Sequence, residues 1–241
     1  MEDFTVHVSR LLCRENIQFR FKAGLREFPK KIESLIESTW KHGIIEGFTV
    51  WDCLVISLLD YKEVEEILVC EVQNTTYKAF FGTNVCNRDK IADDSILANS
   101  IACCCVCETS DGLILFGKRS STVAEDKNLW HIPGGNIEAK IGNPYDTMLK
   151  EIEEELHVFL NDISNLICTG LCRNRLSNKP EFTFYALLKI DSTTLARRLK
   201  NAVDKYEHSH FIFCPPEEIN EFLSTHSFSE IGKAALRQYS L

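Results

Sequence analysis

Residues 144–158, PYDTMLKEIEEELHV, constrain the fold most, because one short segment must bury an apolar stripe and also present three carboxylates. Asn143 is a good N-cap, Pro144 suits the first helical position, and Asp146 is placed for a capping-box contact. The spacing predicts a helix over YDTMLKEIEEELH, with Met148, Leu149, Ile152 and Leu156 as its buried stripe. Glu151, Glu154 and Glu155 stand at i, i+3 and i+4 and share one face, whereas Glu153 projects away. Like charges at that spacing destabilise a helix by about a few tenths of a kcal/mol per pair. A solvated acidic face is one reading. The other is a hard divalent cation that offsets the repulsion, because Mg²⁺ prefers oxygen ligands and retains several waters.

A helix of this kind needs a sheet to cover its stripe. SIACCCVCET, the turn signal Ser110-Asp111-Gly112 and LILFGKR read as a β-hairpin. Further strands are expected in FTVWDCLVISLLDY, EILVCEVQ, LICTGLC, EFTFYALLKI and HFIFC, with two short helices closing the chain. KIESLIESTWK reads as an amphipathic helix through Ile32, Leu35, Ile36 and Trp40. Mixed strands flanking one central helix imply an α/β or α+β sandwich. The polar stretch NRDKIADDS marks a lobe boundary near residue 95, giving an N-terminal lobe over 1–95 and a second domain over 96–241.

Composition narrows the function. The net charge of −8 disfavours long nucleic acid, whose affinity comes mainly from neutralised phosphates. A small anionic substrate stays compatible if a bound cation reverses the local field. MEDFTVHVSR lacks a basic-then-apolar signal pattern, and no apolar run is long enough to span a membrane, so a cytoplasmic or nuclear location is expected. Eleven cysteines then read as reduced thiols. Cys103, Cys104, Cys105 and Cys107 invite a metal reading, but successive strand residues point to opposite faces, so core packing is the expectation.

Together, Gly134-Gly135, Lys150-Glu151-Ile152-Glu153-Glu154-Glu155 and Val158 resemble the signature box of the Nudix hydrolases. The resemblance implies a Nudix-type α/β/α sandwich with a mixed sheet, plus a smaller N-terminal α+β lobe. It implies Mg²⁺, with Mn²⁺ able to substitute, held by Glu151, Glu154, Glu155 and the Gly135 carbonyl, with Glu154 or Glu155 as base toward water. The box departs from the family pattern. The stretch from Gly135 to Lys150 is one residue longer, and Gly142 or Asn143 falls where the first glutamate belongs. Lys150 replaces an arginine and cannot form the same planar fork. His157 replaces the terminal glycine. A narrower likeness runs through YKAFFGTN, ILANSIA, TSDGLILFGKRS, TVAEDKNLWHIPGG, CRNR, EFTFYAL and SEIGKAALRQY, which are similar to the Nudix branch hydrolysing UDP-glucose and UDP-galactose. That implies a small-molecule nucleotide sugar as partner and UMP and a sugar 1-phosphate as products. Rival readings are a Nudix hydrolase of ADP-ribose, coenzyme A or capped RNA, and a catalytically inactive nucleotide-binding module.

Several residues outside the helix are substrate-contact candidates. Tyr77, Phe81, Thr83 and Asn84 offer rings and polar groups for a base site, and Asn84→Ala is then expected to act through KM with little change in stability. Core packing of Phe80 and Phe81 is the competing expectation. Arg173 and Asn174 match the branch's Arg-Asn pair. Lys118 and Arg119 either reach phosphate or form a surface charge pair, and Glu138 either touches substrate or metal or caps the glycine loop. His208 and His210 read as surface or core histidines rather than ligands, and His131 as structural.

Overall fold

A computed structural model describes residues 4–48 and 50–239; residues 1–3, 49, 240 and 241, which fall within the two predicted lobes, lie outside the described residues. The chain opens with β1 (Phe4–Leu12), β2 (Ile17–Leu25), α1 (Lys30–Ile45), β3 (Leu54–Val64) and β4 (Ile67–Thr76). The short helix α2 (Tyr77–Phe80) then runs straight into a π turn over Phe81–Val85. Next come β5 (Ala102–Glu108), β6 (Ile114–Arg119), β7 (Trp130–His131), β8 (Gly134–Asn136) and α3 (Pro144–Leu156). The remainder is β9 (Ile163–Asn174), β10 (Pro180–Leu188), α4 (Ser192–Arg198), β11 (His208–Cys214), α5 (Ile219–Thr225) and α6 (Glu230–Tyr239).

The architecture is α/β. The large sheet runs β1-β9-β10-β5-β6-β11, with β10 parallel to β5 and its other pairs antiparallel. Strand β5 is buried on both sides. Cys103, Cys105 and Cys107 pack with Met148, Ile152 and Leu156 of α3, while Cys104 and Val106 pack with Ile231, Ala234 and Ala235 of α6. The thiols therefore divide between two cores, as strand alternation requires, and every cysteine among the described residues is free.

The predicted hairpin forms, but β5 and β6 pair only at Glu108↔Ile114. Beyond that point β8 takes the place beside β5 and β7 the place beside β6. A Cβ on Gly134 would stand 2.2 Å from the Cys103 carbonyl oxygen, so only glycine lets this loop approach β5 so closely. The glycine pair is thereby fixed beside the second half of α3, against Glu151 and Glu155.

A second, three-stranded sheet, β2-β4-β3, is formed by strands from the first part of the chain. Its apolar face, including Ile56, Leu58, Leu68, Cys70 and Val72, shares the core occupied by α3. Backbone bonds from Ile56 to Ile137 at 3.0 Å and from Ala139 to Leu54 at 2.9 Å tie β3 to the segment after β8. Strand β1, within the predicted lobe over 1–95, pairs with β9 at the edge of the large sheet. Strands β1 and β2 and helix α4 carried no sequence expectation. Among the described residues no helix is long and apolar enough to cross a membrane.

Helix α3 is capped as its sequence predicts, with Asn143 Oδ1 accepting the Asp146 N–H at 2.8 Å. It ends at His157, which takes the left-handed conformation at φ +55°. A side chain there is disfavoured by roughly 1 kcal/mol. His157→Gly should therefore raise the melting temperature by about 2–4 °C if that strain is released, less whatever the edge contact of the His157 ring with Phe159 contributes. Thermal melts of the two proteins decide it; a lower melting temperature for the variant would show that the ring contact dominates.

Candidate active site

The centre of the site is built where α3 crosses the glycine loop. The Gly134 N–H donates to Glu155 Oε1 at 3.1 Å. A Cβ on Gly135 would lie 2.6 Å from the Glu151 carboxyl carbon, so glycine is needed there for that carboxylate to stand against the loop. Helix periodicity thus brings Glu151 and Glu155 to the same strip of backbone. Glu153 is exposed, as predicted.

Burial then sets the electrostatics. Glu155 is only 2% exposed, and its Oε2 has no hydrogen-bond partner among the described residues. Burial pushes its carboxyl well above the usual range, with Glu207 and Glu151 adding to the shift. Burial likewise raises Glu151 to about 7 against the pull of Lys150. His208 Nε2 lies 3.7 Å from Glu155 Oε2, but burial lowers the imidazole to about 3, so the contact is not an ion pair at neutral pH. The bulge between His208 and His210 leaves the first buried and the second exposed, consistent with histidines that are not a ligand pair.

The donors suit a hard divalent ion: carboxylates on one helix face, one of them with a buried and unpartnered oxygen. As the side chains stand, no three His, Cys, Asp or Glu residues among the described residues are grouped closely enough to hold one. Lys150 instead neutralises the carboxylates. Its Nζ pairs with Glu154 and lies 3.3 Å from Glu138 and 3.6 Å from Glu151.

Of the residues predicted to meet substrate or metal, Tyr77, Arg119, Gly135, Glu138, Glu151 and Glu154 line one cleft with Trp51, Lys150 and Glu207. Arg119 is held by Glu207 at 2.7 Å, and Glu138 by Lys140 at 2.9 Å. Lys118 instead lies over the Trp130 ring, 6.0 Å from its centroid. His131, read from the sequence as structural, shares a hydrogen bond with Ser229 and also lines the cleft.

The other candidates stand elsewhere. Phe81 is buried with its ring edge-on to Trp40 and Phe48. Thr83 and Asn84 are buried in a hydrogen-bonded network. Arg173 Nη1 donates to the Asn178 carbonyl at 3.0 Å, and Asn174 Oδ1 accepts from the Leu176 and Ser177 amides. These contacts shape the β9–β10 turn. Five predicted positions are thus engaged by the protein itself, because motif likeness marks a position without distinguishing a contact to ligand from a contact to backbone.

Sequence reasoning missed Glu125, Lys179 and Glu181, which also line the cleft. The only local signal was a lysine and a glutamate flanking Pro180 at the start of a strand. Burial raises Glu181 to about 7, opposed by Lys179. A carboxyl whose folded pKa exceeds its unfolded value binds protons preferentially when folded. Its contribution to stability is therefore full below about 4.5 and lost as pH rises through about 7. Urea melts of Glu181→Gln should accordingly show a shallower fall in stability between pH 5 and 8, about these limits, than the wild type. An unchanged slope would assign that fall to other groups.

The model of the NUDIX domain family matches residues 98–233, more than half of the chain. The uridine diphosphate glucose pyrophosphatase NUDT22 of Homo sapiens is 24% identical over 191 residues, covering 67% of this chain. The chain spans 63% of that relative's length. Among solved structures, the NUDIX domain of Shewanella oneidensis NrtR, complexed with ADP ribose, matches with a TM-score of 0.46 and 14% identity, covering 64% of this chain and 94% of that one. A protein of Deinococcus radiodurans matches with a TM-score of 0.43 and 13% identity, covering 58% and 83%.

Proposed function

This chain belongs to the NUDIX domain family, and we propose that it is a divalent-metal-dependent hydrolase of the diphosphate in a nucleotide sugar, with UDP-glucose or UDP-galactose as substrate and UMP and the sugar 1-phosphate as products. The observation that carries the reading is the convergence of Glu151 and Glu155 of α3 on the Gly134-Gly135 loop, beside a cleft that Glu151 and Glu154 line. The name of the human relative supports the choice of substrate class.

Glu151, Glu154, Glu155 and the Gly135 carbonyl would hold Mg²⁺ or Mn²⁺. A bound divalent ion would neutralise phosphate oxygens and lower the pKa of an attacking water. The chain's own contribution is positional. Gly135 leaves room for the Glu151 carboxylate, and the Gly134 N–H fixes one oxygen of Glu155. Lys150 compensates the cluster's charge, and Arg119, held in place by Glu207, presents its guanidinium in the same cleft. The proton released by the attacking water passes to one of the helix carboxylates.

Incubation with a panel of nucleotide sugars, ADP-ribose and coenzyme A tests this directly. With Mg²⁺, UDP-glucose or UDP-galactose should be converted fastest, and EDTA should abolish turnover until Mg²⁺ or Mn²⁺ is restored. Preference for ADP-ribose or coenzyme A would overturn the substrate class. Full activity after exhaustive chelation would overturn the metal dependence.

A further inference from the structure

The cleft carries a second charged set, contributed by elements other than α3. Lys179 Nζ stands 3.0 Å from Glu125 Oε2 and 3.7 Å from Glu181 Oε1, with the Lys179 and Glu181 side chains 10% and 6% exposed. The ammonium also lies 5.3 Å from the Phe80 ring centroid. Asp126 lines the same wall, and it and Asn128 both hold left-handed backbone, at φ +53° and +61°. Tyr77 lines the same cleft; burial is the largest cause of the upward shift of its hydroxyl, with Glu125 and Glu207 adding to it and Lys179 and Arg119 opposing it. That hydroxyl makes no hydrogen bond to any described residue.

Lys179 hydrogen-bonds Glu125 and stands 3.7 Å from Glu181, while Arg119 of the same cleft is bound to Glu207 at 2.7 Å, so this wall holds more acceptors than its cations fill. A purely structural ion pair needs one partner, and the second carboxylate on Lys179, the buried Glu181, costs desolvation that the pair does not recover. The surplus acceptors face a cleft, so a ligand with several hydrogen-bond donors would satisfy them. A phosphate is repelled by this charge, and a uracil edge offers a single N–H between two carbonyls. A hexose offers several hydroxyls, each able to donate to a carboxylate and to accept from an ammonium or a phenol.

We infer that Tyr77, Glu125, Asp126, Lys179 and Glu181 form the subsite for the hexosyl group, and so determine specificity at the sugar end of the substrate. This rests on the nucleotide-sugar reading above and assigns the sugar's place within it. Tyr77 then meets the sugar rather than the base.

The test uses the two halves of UDP-glucose as separate probes. Glucose 1-phosphate and UMP are titrated calorimetrically, with Mg²⁺, into the full chain and into Tyr77→Phe, Glu125→Gln and Lys179→Met. Tyr77→Phe removes one oxygen and Glu125→Gln is isosteric, so these two remain informative if Lys179→Met fails to fold. Each should weaken glucose 1-phosphate by roughly 10-fold, the size expected for a hydrogen bond to a charged or buried group, and leave UMP within about two-fold. Loss of UMP affinity instead would make the set a base subsite and overturn the inference. Unchanged affinity for glucose 1-phosphate in both folded variants would overturn it as well. The two readings fail separately. A wild type that hydrolyses no nucleotide sugar sinks the proposed function, whereas an active wild type with insensitive variants sinks only the sugar subsite.

Discussion

Glu155→Gln should lower kcat by about 10²–10⁴, the range typical of lost proton-transfer groups, and should also raise the melting temperature of the metal-free protein. The two effects share a cause. Glu155 is buried with one oxygen unpartnered, so its charged form is costly in the folded state. Glutamine keeps an acceptor for the Gly134 N–H and removes the charge. Opposite movement of activity and stability is expected where a site is strained for function. Glu151→Gln should show the same kinetic loss, because its carboxylate stands against Gly135 in the cleft. Glu153→Gln should stay near wild type in kcat and within about 0.5 kcal/mol in stability, as for other exposed positions. Steady-state kinetics with saturating Mg²⁺ and parallel melts in EDTA measure both. Equal kinetic losses at Glu153 and Glu155 would contradict the face of α3 assigned to the chemistry.

Asn84→Ala should destabilise the protein by about 3 kcal/mol, from several buried groups left unsatisfied at once. That corresponds to a fall of roughly 6–12 °C in melting temperature. The likeness of YKAFFGTN to the UDP-sugar branch led to the expectation of a base contact with little effect on stability. The structure places Asn84 differently. It is 1% exposed, and both ends of its amide are used. Its Oδ1 accepts the Thr83 hydroxyl and the Asn99 N–H, each at 3.0 Å. Its Nδ2 donates to Asn99 Oδ1 at 3.2 Å and to the Ser177 carbonyl at 2.8 Å. The residue joins the π turn after α2 to the approach to β5 and to the β9–β10 turn. KM for UDP-glucose, measured well below the melting temperature, should change little. A large KM effect with unaltered melting would restore the base contact.

What was legible in the sequence is what local periodicity and local chemistry control. The apolar stripe of α3, its Asn143 cap, the shared face of Glu151, Glu154 and Glu155, and the exclusion of Glu153 all follow from 3.6-residue spacing within one segment. The division of Cys103 to Cys107 between two cores follows from the two-residue period of a strand. The glycine pair was visible too, but its reason was not. Gly134 is required by the Cys103 carbonyl and Gly135 by Glu151, and both neighbours arrive from other elements. The fate of polar side chains was likewise settled only by tertiary structure. Asn84, Arg173 and Asn174 have the right chemistry to bind a ligand, yet the fold brings backbone to them first, since a buried donor or acceptor takes whichever partner packing supplies. Lys179, Glu125 and Glu181 show the converse. Lys179 and Glu181 flank Pro180, but Glu125 is distant in sequence, and the three become one charged wall only when the loop before β7 folds over the start of β10.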